Sequence, residues 1–358
     1  MSTVVALDIG SSCLAGVELR STRAATTVAK AGVEPLPQGL VADGEVLQPD
    51  VLAQHIKRFW KTYKFSGRKV RLGVANQRVV VRTIEMPAID DPDARRAAVE
   101  FEAAEHIPIP PEQAIVDSHP VLRYEGEDGE RERVVIVAAH REMIETLVAA
   151  VRRAGLQPVG VDLESFALLR ALLPPPGVLD EGAPDTAAEA VCHIGAQLTN
   201  VIVALERRCQ FTRLVSFGGD QLTQAVAERT GLPVPEAEAL KVACGLLGEP
   251  LEGWDEETVR EVRHALALAA RPLLVEIRRS LDYYRSQSFA RPIGRLVLSG
   301  GTALCAGLDR YLQQALGIRV EIGDPFRHLD AHPGTPPEVA ARAAVAVGLA
   351  LDSPEDAS

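Results

Sequence analysis

One strand–turn–strand pattern occurs twice in this chain, and it restricts the available folds more than any other feature. In each copy an apolar strand leads into a turn of glycine and small residues, and a second apolar strand follows. The predicted strands are 4–9 and 14–19 in the first copy, and 190–194 and 200–205 in the second. Because the copies lie about 185 residues apart, we expect two similar half-molecules that face one cleft.

The composition is that of an ordinary globular protein. Its 358 residues, at roughly 150 per domain, predict about two domains that each bury a core. The net charge of -11 at pH 7 argues against a nucleic-acid-binding surface. The five cysteines are scattered and form no Cys-x-x-Cys pair, which predicts reduced thiols in a cytosolic protein.

Neither end of the sequence has the features of an export or membrane segment. Residues 1–3 lead directly into a strand, without a basic start or an apolar signal segment, so we expect a chain that is not secreted. The apolar stretch 337–351 is short and carries Glu338 and Arg342, which predicts that it does not span a bilayer. The acidic residues 352–358 are not expected to form a membrane anchor.

The sequence divides into a first subdomain, an inserted α/β subdomain and a second lobe. The stretch 174–185 is rich in proline, glycine and aspartate and predicts a loop between the lobes. Asp50 is expected to cap one helix, and Asp91 with Pro92 predicts the start of another. The predicted ranges are 1–67 completed by 157–185 and 336–358, 68–156 for the insertion, and 186–335 for the second lobe, with a helical section at about 220–290.

The first turn predicts a phosphate site with a carboxylate at its edge. Asp8 lies near the end of an apolar strand, and Gly10, Ser11, Ser12 and Cys13 follow. Glycine lets a phosphate approach backbone N–H groups, and a carboxylate can hold Mg²⁺ through water. A hairpin with a capping aspartate explains one such turn equally well, but the repeat favours the phosphate site.

The second turn differs from the first at its acidic position. Gly195 and Ala196 offer the same N–H groups, and Thr199 and Asn200 add side-chain donors. His193 occupies the place of the aspartate in the first copy. Imidazole can hydrogen-bond to phosphate or water, but it does not attract hydrated Mg²⁺ as a carboxylate does. A packing role for this histidine is the alternative.

Two further glycine turns precede helices, and their N–H groups suit an anion or the face of an adenosine. On a separate helix, Glu238 and Lys241 share one face. They predict contacts to a ribose and to a phosphate or base edge, with a surface ion pair as the alternative. The candidate turn residues are Gly218, Gly219 and Asp220 in one turn, and Gly300, Gly301 and Thr302 in the other.

This ordered set of turns resembles the nucleotide-binding motifs of the actin, sugar-kinase and DnaK-type chaperone superfamily. The resemblance implies an α/β, actin-like fold, in which a duplicated ribonuclease H-like unit forms two lobes around a nucleotide cleft. It also implies ATP and Mg²⁺ as ligands. It places phosphate loops at 8–18 and 192–203, an adenosine loop at 296–308, and connecting segments at 161–167 and 345–351.

Within that superfamily, the insertion resembles those of FtsA and of the PilM family of type IV pilus assembly. Two segments carry the resemblance to PilM through the order of their residues. One is an acidic helix that runs into Ile-Pro, at 99–110, and the other is a second helix, at 271–284. Two amphipathic helices alone would explain the periodicity but not the order of residues. A cytoplasmic adaptor is implied, recruited to the inner membrane by the N-terminal tail of a PilN-like protein and linked to pilus motor ATPases. The tail would lie in a groove near 68–84 and 101–111.

The resemblance implies weak or absent ATPase activity. Relatives carry an aspartate in the second phosphate loop where this chain has His193, so Asp162 or Glu164 would have to position the water. A small-molecule kinase, an FtsA-like division protein and a secretion-system relative are the alternatives. The latter two normally continue into membrane-binding helices, which 352–358 does not resemble. Homo-oligomerisation, and the choice between pilus, competence and secretion machines, stay open at this level.

Overall fold

The repeated pattern folds into two five-stranded sheets with the same strand order. The computed structural model describes residues 2–22, 25–126, 129–175, 187–247, 251, 253–329 and 335–351. Its strands are β1 Ser2–Ile9, β2 Cys13–Ser21, β3 Thr26–Pro35, β4 Val41–Ala42, β5 Glu45–Val46, β6 Lys69–Val74, β7 Val79–Pro87, β8 Ala114–Gly126, β9 Gly129–His140, β10 Gln157–Leu163, β11 Ala188–Ile194, β12 Thr199–Leu205, β13 Arg208–Val215, β14 Ile293–Ser299 and β15 Arg319–Ile322. Its helices are α1 Pro49–Tyr63, α2 Pro92–His106, α3 Arg141–Arg153, α4 Glu164–Leu172, α5 Gly219–Thr230, α6 Val234–Cys244, α7 Glu256–Ala269, α8 Arg271–Arg285, α9 Leu308–Leu316 and α10 Pro337–Ala350, with 3₁₀ turns at Pro111–Gln113 and Gly301–Leu304.

Each five-stranded sheet consists of three antiparallel strands followed by two parallel ones. The first sheet has the order β3-β2-β1-β6-β10, and the second has the order β13-β12-β11-β14-β15. The central strands β1 and β11 are apolar and largely buried, because helices cover both faces of the sheets. The predicted α/β fold with two duplicated lobes is confirmed.

Each lobe has its own hydrophobic cluster, and a further cluster is shared by the two lobes. Helices α4 and α10 pack against each other, and one cluster of buried side chains contains Val17 of β2, Ile202 of β12 and Val345 of α10. Gly348 makes this packing close: a Cβ there would lie 1.8 Å from the carbonyl oxygen of Ala167. The final helix packs mainly on the first sheet, against β1 and β2.

The inserted unit is smaller than the sequence predicts. It consists of the sheet β7-β9-β8, with α2 packed on one face around Val99, Ala103 and Val134. Strand β6 pairs with β1 and β10 in the first sheet, and α3 packs on α1. The boundaries 68 and 156 are thus too wide, because strand and helix periodicity does not reveal which sheet an element joins.

Several local predictions have different outcomes. Asp91 caps α2 by accepting hydrogen bonds from the amides of Asp93 and Ala94. Asp50 does not cap α1, because Pro49 begins that helix and leaves Gln48 at the N-cap. Most of the predicted loop 174–185 and the tail 352–358 lie outside the described residues. Within the described ranges, every helix is too short or too polar to cross a membrane.

Candidate functional site

The two repeated turns have the same backbone geometry despite their different sequences. In the hairpin between β1 and β2, the amide of Gly10 donates to the carbonyl of Cys13 at 3.0 Å. In the hairpin between β11 and β12, the amide of Gly195 donates to the carbonyl of Leu198 at 2.9 Å. The sequence repeat is therefore also a repeat of turn geometry, one turn in each lobe.

Both turns present backbone amides that the protein does not use. Across the described residues, the amides of Ser11 and Ser12 in the first turn, and of Ala196 and Gln197 in the second, donate to no protein acceptor. Consecutive free amides in a tight turn form a concave site for an anion. Each turn can therefore bind an anion such as a phosphate group.

Two of the other predicted turns contact the second repeated turn, at Gly195 and Ala196. The amide of Gly219 donates to the carbonyl of Gly195 at 2.9 Å, and the amide of Asp220 donates to that of Ala196 at 2.8 Å. The hydroxyl of Thr302 also donates to the carbonyl of Gly195, at 2.9 Å. The amides of the turn 218–220 are therefore engaged inside the protein, and they support the neighbouring turn.

Two glycines are required for this close approach. A Cβ at Gly218 would lie 2.4 Å from the carbonyl oxygen of Ala196. Gly300 has a φ of 88°, and a Cβ there would lie 2.3 Å from the carbonyl oxygen of Ile194. Side chains at either position would separate the turns, so these glycines are explained by packing within the site.

The side chains of Thr199 and Asn200 face the protein. The hydroxyl of Thr199 is buried and donates to the carbonyl of Phe217 at 2.7 Å. The amide group of Asn200 donates to the carboxyl of Glu164 at 3.4 Å, which connects the second lobe to the start of α4. The predicted donation from Thr199 to a ligand is thus wrong, because its proton is already used.

Lys241 and Glu238 do not form an ordinary surface ion pair. The ammonium group of Lys241 is buried, and it lies 2.6 Å from a carboxylate oxygen of Glu238. It also donates to the hydroxyl of Thr223 at 2.9 Å and to the carbonyl of Gly219 at 3.3 Å. A lysine has three N–H donors, so these contacts occupy all of them. Lys241 therefore holds α6 against the turn at 218–220, while Glu238 keeps an exposed edge.

Two carboxyl groups and one imidazole are buried close to the repeated turns. Burial raises the pKa of Asp8 to about 7. Burial and the nearby negative charge of Asp8 raise the pKa of Glu164 well above its ordinary value. Burial lowers the pKa of His193 to about 4, so this imidazole is neutral at pH 7, with Nδ1 3.3 Å from the hydroxyl of Ser299. Unlike a carboxylate, it adds no negative charge to the cleft.

The raised pKa of Asp8 predicts a specific pH dependence of stability. The folded state holds this proton more tightly than the unfolded state, whose aspartates titrate near 4. Stability from Asp8 is therefore present below about pH 4 and is lost as pH rises through about 7. We expect Asp8→Asn to raise the melting temperature at pH 8 by roughly 2 °C or more, with little change at pH 4. Calorimetric scans without nucleotide would contradict this if the two proteins kept the same difference at every pH.

Asp162 is engaged away from these groups. Its carboxylate forms an ion pair with Arg170 of α4 and accepts a hydrogen bond from the amide of Leu163 at 2.7 Å. Arg170 in turn donates to the carbonyl of Gly348 in α10 at 2.8 Å. These contacts fasten the two connecting helices together. Of the two carboxylates proposed to position water, the structure brings only Glu164 to Asp8.

Arg342 lies beside the turn at Gly301, although it is not among the residues that the sequence predicts for the site. A Cβ at Gly301 would lie 3.1 Å from its Nε. Its positive charge acts on the Cys13 thiol of the first turn, whose pKa burial and Asp8 nevertheless raise to about 11. The one sequence signal was a basic residue within an otherwise apolar helical stretch.

Comparison with known proteins identifies the family of this chain. A family model described as type IV pilus assembly protein PilM matches residues 6–354, which is nearly the whole chain. The chain belongs to the PilM family. Among solved structures, the PilM-PilN type IV pilus biogenesis complex superposes with a TM-score of 0.80 at 26% sequence identity, covering 97% of both chains. The predicted resemblance to PilM is confirmed.

The chain is also similar to cell division proteins in sequence and to other solved structures in fold. The cell division protein FtsA of Streptococcus pneumoniae is 28% identical over 231 residues, covering 60% of this chain and 48% of FtsA. FtsA of Escherichia coli K12 is 27% identical over 239 residues and is covered over 55% of its length, so the PilM-family chain spans about half of these two relatives. The ethanolamine utilization protein EutJ from Carboxydothermus hydrogenoformans has a TM-score of 0.57 at 15% identity over 98% and 89% of the two chains, which shows the fold alone.

The insertion of this PilM-family chain meets the first lobe along an apolar seam. The predicted groove segment 68–84 is divided between β6 and β7, and Ile107 and Ile109 are buried inside the insertion. Partly exposed hydrophobic side chains instead lie where the two units touch. We call this cluster the apolar seam. Its members are buried Val74, Ala139, Met143 and Leu163, with partly buried Val79, Val81, Val137, Ile144, Val161 and Phe166.

Proposed function

We propose that this chain is an ATP-binding adaptor of type IV pilus assembly, which binds the N-terminal cytoplasmic tail of a PilN-like inner-membrane protein. The observation that carries the proposal is the match over 97% of both chains to the PilM-PilN complex. In this proposal the chain works in the cytoplasm, is recruited to the inner membrane by that tail, and links it to the pilus motor ATPases.

The apolar seam is the proposed binding place for the tail. Strand β7 is at the edge of the insertion sheet, and β10 is at the edge of the first sheet, so unpaired strand edges border the seam. Val159 of β10 is 53% exposed on the rim, and it precedes Val161, which lies in the seam. An extended segment with alternate apolar side chains fits such a surface, because its backbone can pair with a strand edge while its side chains enter the seam.

The residues of the cleft also fit a nucleotide. The free amides of Ser11, Ser12, Ala196 and Gln197 suit its phosphates. Magnesium prefers oxygen ligands, so Asp8 would hold it through water, whereas neutral His193 would not. When bound, Mg²⁺ neutralises phosphate charge. Glu164 would orient a water molecule. The second turn has His193 in place of a carboxylate that could assist it. We therefore propose ATP binding with slow hydrolysis.

The partner proposal predicts that a charge in the apolar seam weakens tail binding. We expect Val81→Glu and Val159→Glu to reduce affinity for a synthetic PilN N-terminal peptide at least about tenfold, because the glutamate must be desolvated on binding. Fluorescence anisotropy with a labelled peptide measures this affinity.

The matched control for the seam variants is Val116→Glu, which alters a 38% exposed valine at the opposite edge of the insertion sheet. Its affinity should equal that of the unaltered protein. Thermal unfolding of all variants identifies any that fail to fold. Equal affinities for Val159→Glu and the control, with both proteins folded, would exclude the seam as the peptide site.

A further inference from the structure

The side chain of Arg342 is held between the first phosphate turn and the adenosine loop. Its backbone is fixed at this place because the carbonyl of Ala341 accepts hydrogen bonds from the amide of Gly300 at 3.1 Å and from the hydroxyl of Ser299 at 3.4 Å. The Nε atom lies 3.1 Å from the position of a Cβ on Gly301. The side chain of Arg342 therefore lies beside the turn that contains Gly301.

The guanidinium of Arg342 has no partner among the described residues. It forms no ion pair and no side-chain hydrogen bond with any of them, although Arg342 is half-buried. A guanidinium carries five N–H donors, and partly buried donors are usually satisfied. The amides of Gly301 and Thr302, which also donate to no acceptor among these residues, lie next to it. The guanidinium and these two amides are therefore available to donate to a ligand.

We propose that Arg342 binds phosphate oxygens of the nucleotide and supplies part of the positive charge that neutralises them. The inference rests on the proposed nucleotide binding. It adds Arg342 as a ligand-binding residue and as a source of positive charge for the phosphates. Arginine suits this role because its planar fork binds phosphate through two parallel hydrogen bonds. The chain would then compensate for His193 at the second turn with a cation from α10.

The test compares Arg342→Gln and Arg342→Lys with the unaltered protein by isothermal titration with ATP, ADP and adenosine, each with Mg²⁺ and with EDTA. We expect Arg342→Gln to lose roughly tenfold to a hundredfold of ATP and ADP affinity, with the larger loss in EDTA. Arg342→Lys should recover part of the loss. Adenosine affinity should be unchanged, because it has no phosphate.

The control is Arg96→Gln, which removes the same charge from an exposed site on α2. Unchanged ATP affinity in Arg342→Gln would overturn the inference and leave the proposed nucleotide binding intact. An equal loss for adenosine would also overturn it, since the residue would then act on the base or the fold. If the unaltered protein bound no ATP, the proposed nucleotide function and this inference would both fail.

Discussion

Replacing Gly348 by alanine is expected to lower the free energy of unfolding by about 3 kcal/mol or more. The added Cβ would lie 1.8 Å from the carbonyl oxygen of Ala167, and the atom that it meets belongs to the backbone of α4. No rotation of a side chain can relieve this overlap, so α4 and α10 would have to move apart. Their separation would loosen the core that the lobes share.

Denaturant unfolding followed by circular dichroism measures the effect of Gly348→Ala. The matched control is Gly160→Ala, because Gly160 has ordinary backbone angles and a Cβ there would meet nothing within 4 Å. We expect the control to change stability by less than about 1 kcal/mol. Similar unfolding midpoints for the two variants would show that the helices are not packed as closely as described.

Replacing His193 by aspartate is expected to raise ATP turnover at least about a hundredfold. The unaltered protein should turn over well below the roughly one event per second that enzymes commonly reach. A positioned acid or base contributes about a hundredfold to ten-thousandfold, and His193 is neutral at pH 7. Asp8 and Glu164 already have raised pKa values. The carboxyl group of the new aspartate should therefore also have a raised pKa and ionise only at higher pH. The gain in turnover should therefore increase with pH.

Steady-state phosphate release in the presence of Mg²⁺ measures this gain. His193→Asn is the matched control, since it has nearly the shape of the aspartate without an ionisable group. Both variants should bind ATP, which titration checks separately. If the aspartate variant hydrolysed ATP no faster than the asparagine variant, the missing carboxylate would not be what limits hydrolysis.

The sequence predicts those parts of the fold that depend on local patterns. The repeated turns are recognisable because a tight hairpin beside a phosphate requires glycine and small residues at the same positions in both copies. The cap at Asp91 is predictable for the same reason, since its hydrogen bonds reach only Asp93 and Ala94. The duplicated sheet follows from these local patterns once the two copies are seen.

Other parts depend on contacts between residues distant in the sequence. Lys241 appears in the sequence as one end of a surface pair, and its burial against the turn at Gly219 results from the packing of α6 on α5. Asp162 appears to be a free carboxylate until α4 brings Arg170 to it. The approach of Arg342 to Gly301 requires α10 to dock beside β14. The spacing of these residues along the sequence does not predict any of these contacts.

The shared core has a consequence for the energetics of the whole chain. Val17 and Ile202 come from different copies of the repeat, yet they are buried in one cluster with residues of α4 and α10. Separating the copies would expose that cluster to water, at a free-energy cost that scales with the apolar area exposed. Neither copy is therefore expected to be an autonomous folding unit. The duplicated sheets should melt in a single cooperative transition, and amides of β2 and β12 should exchange with solvent only through global unfolding.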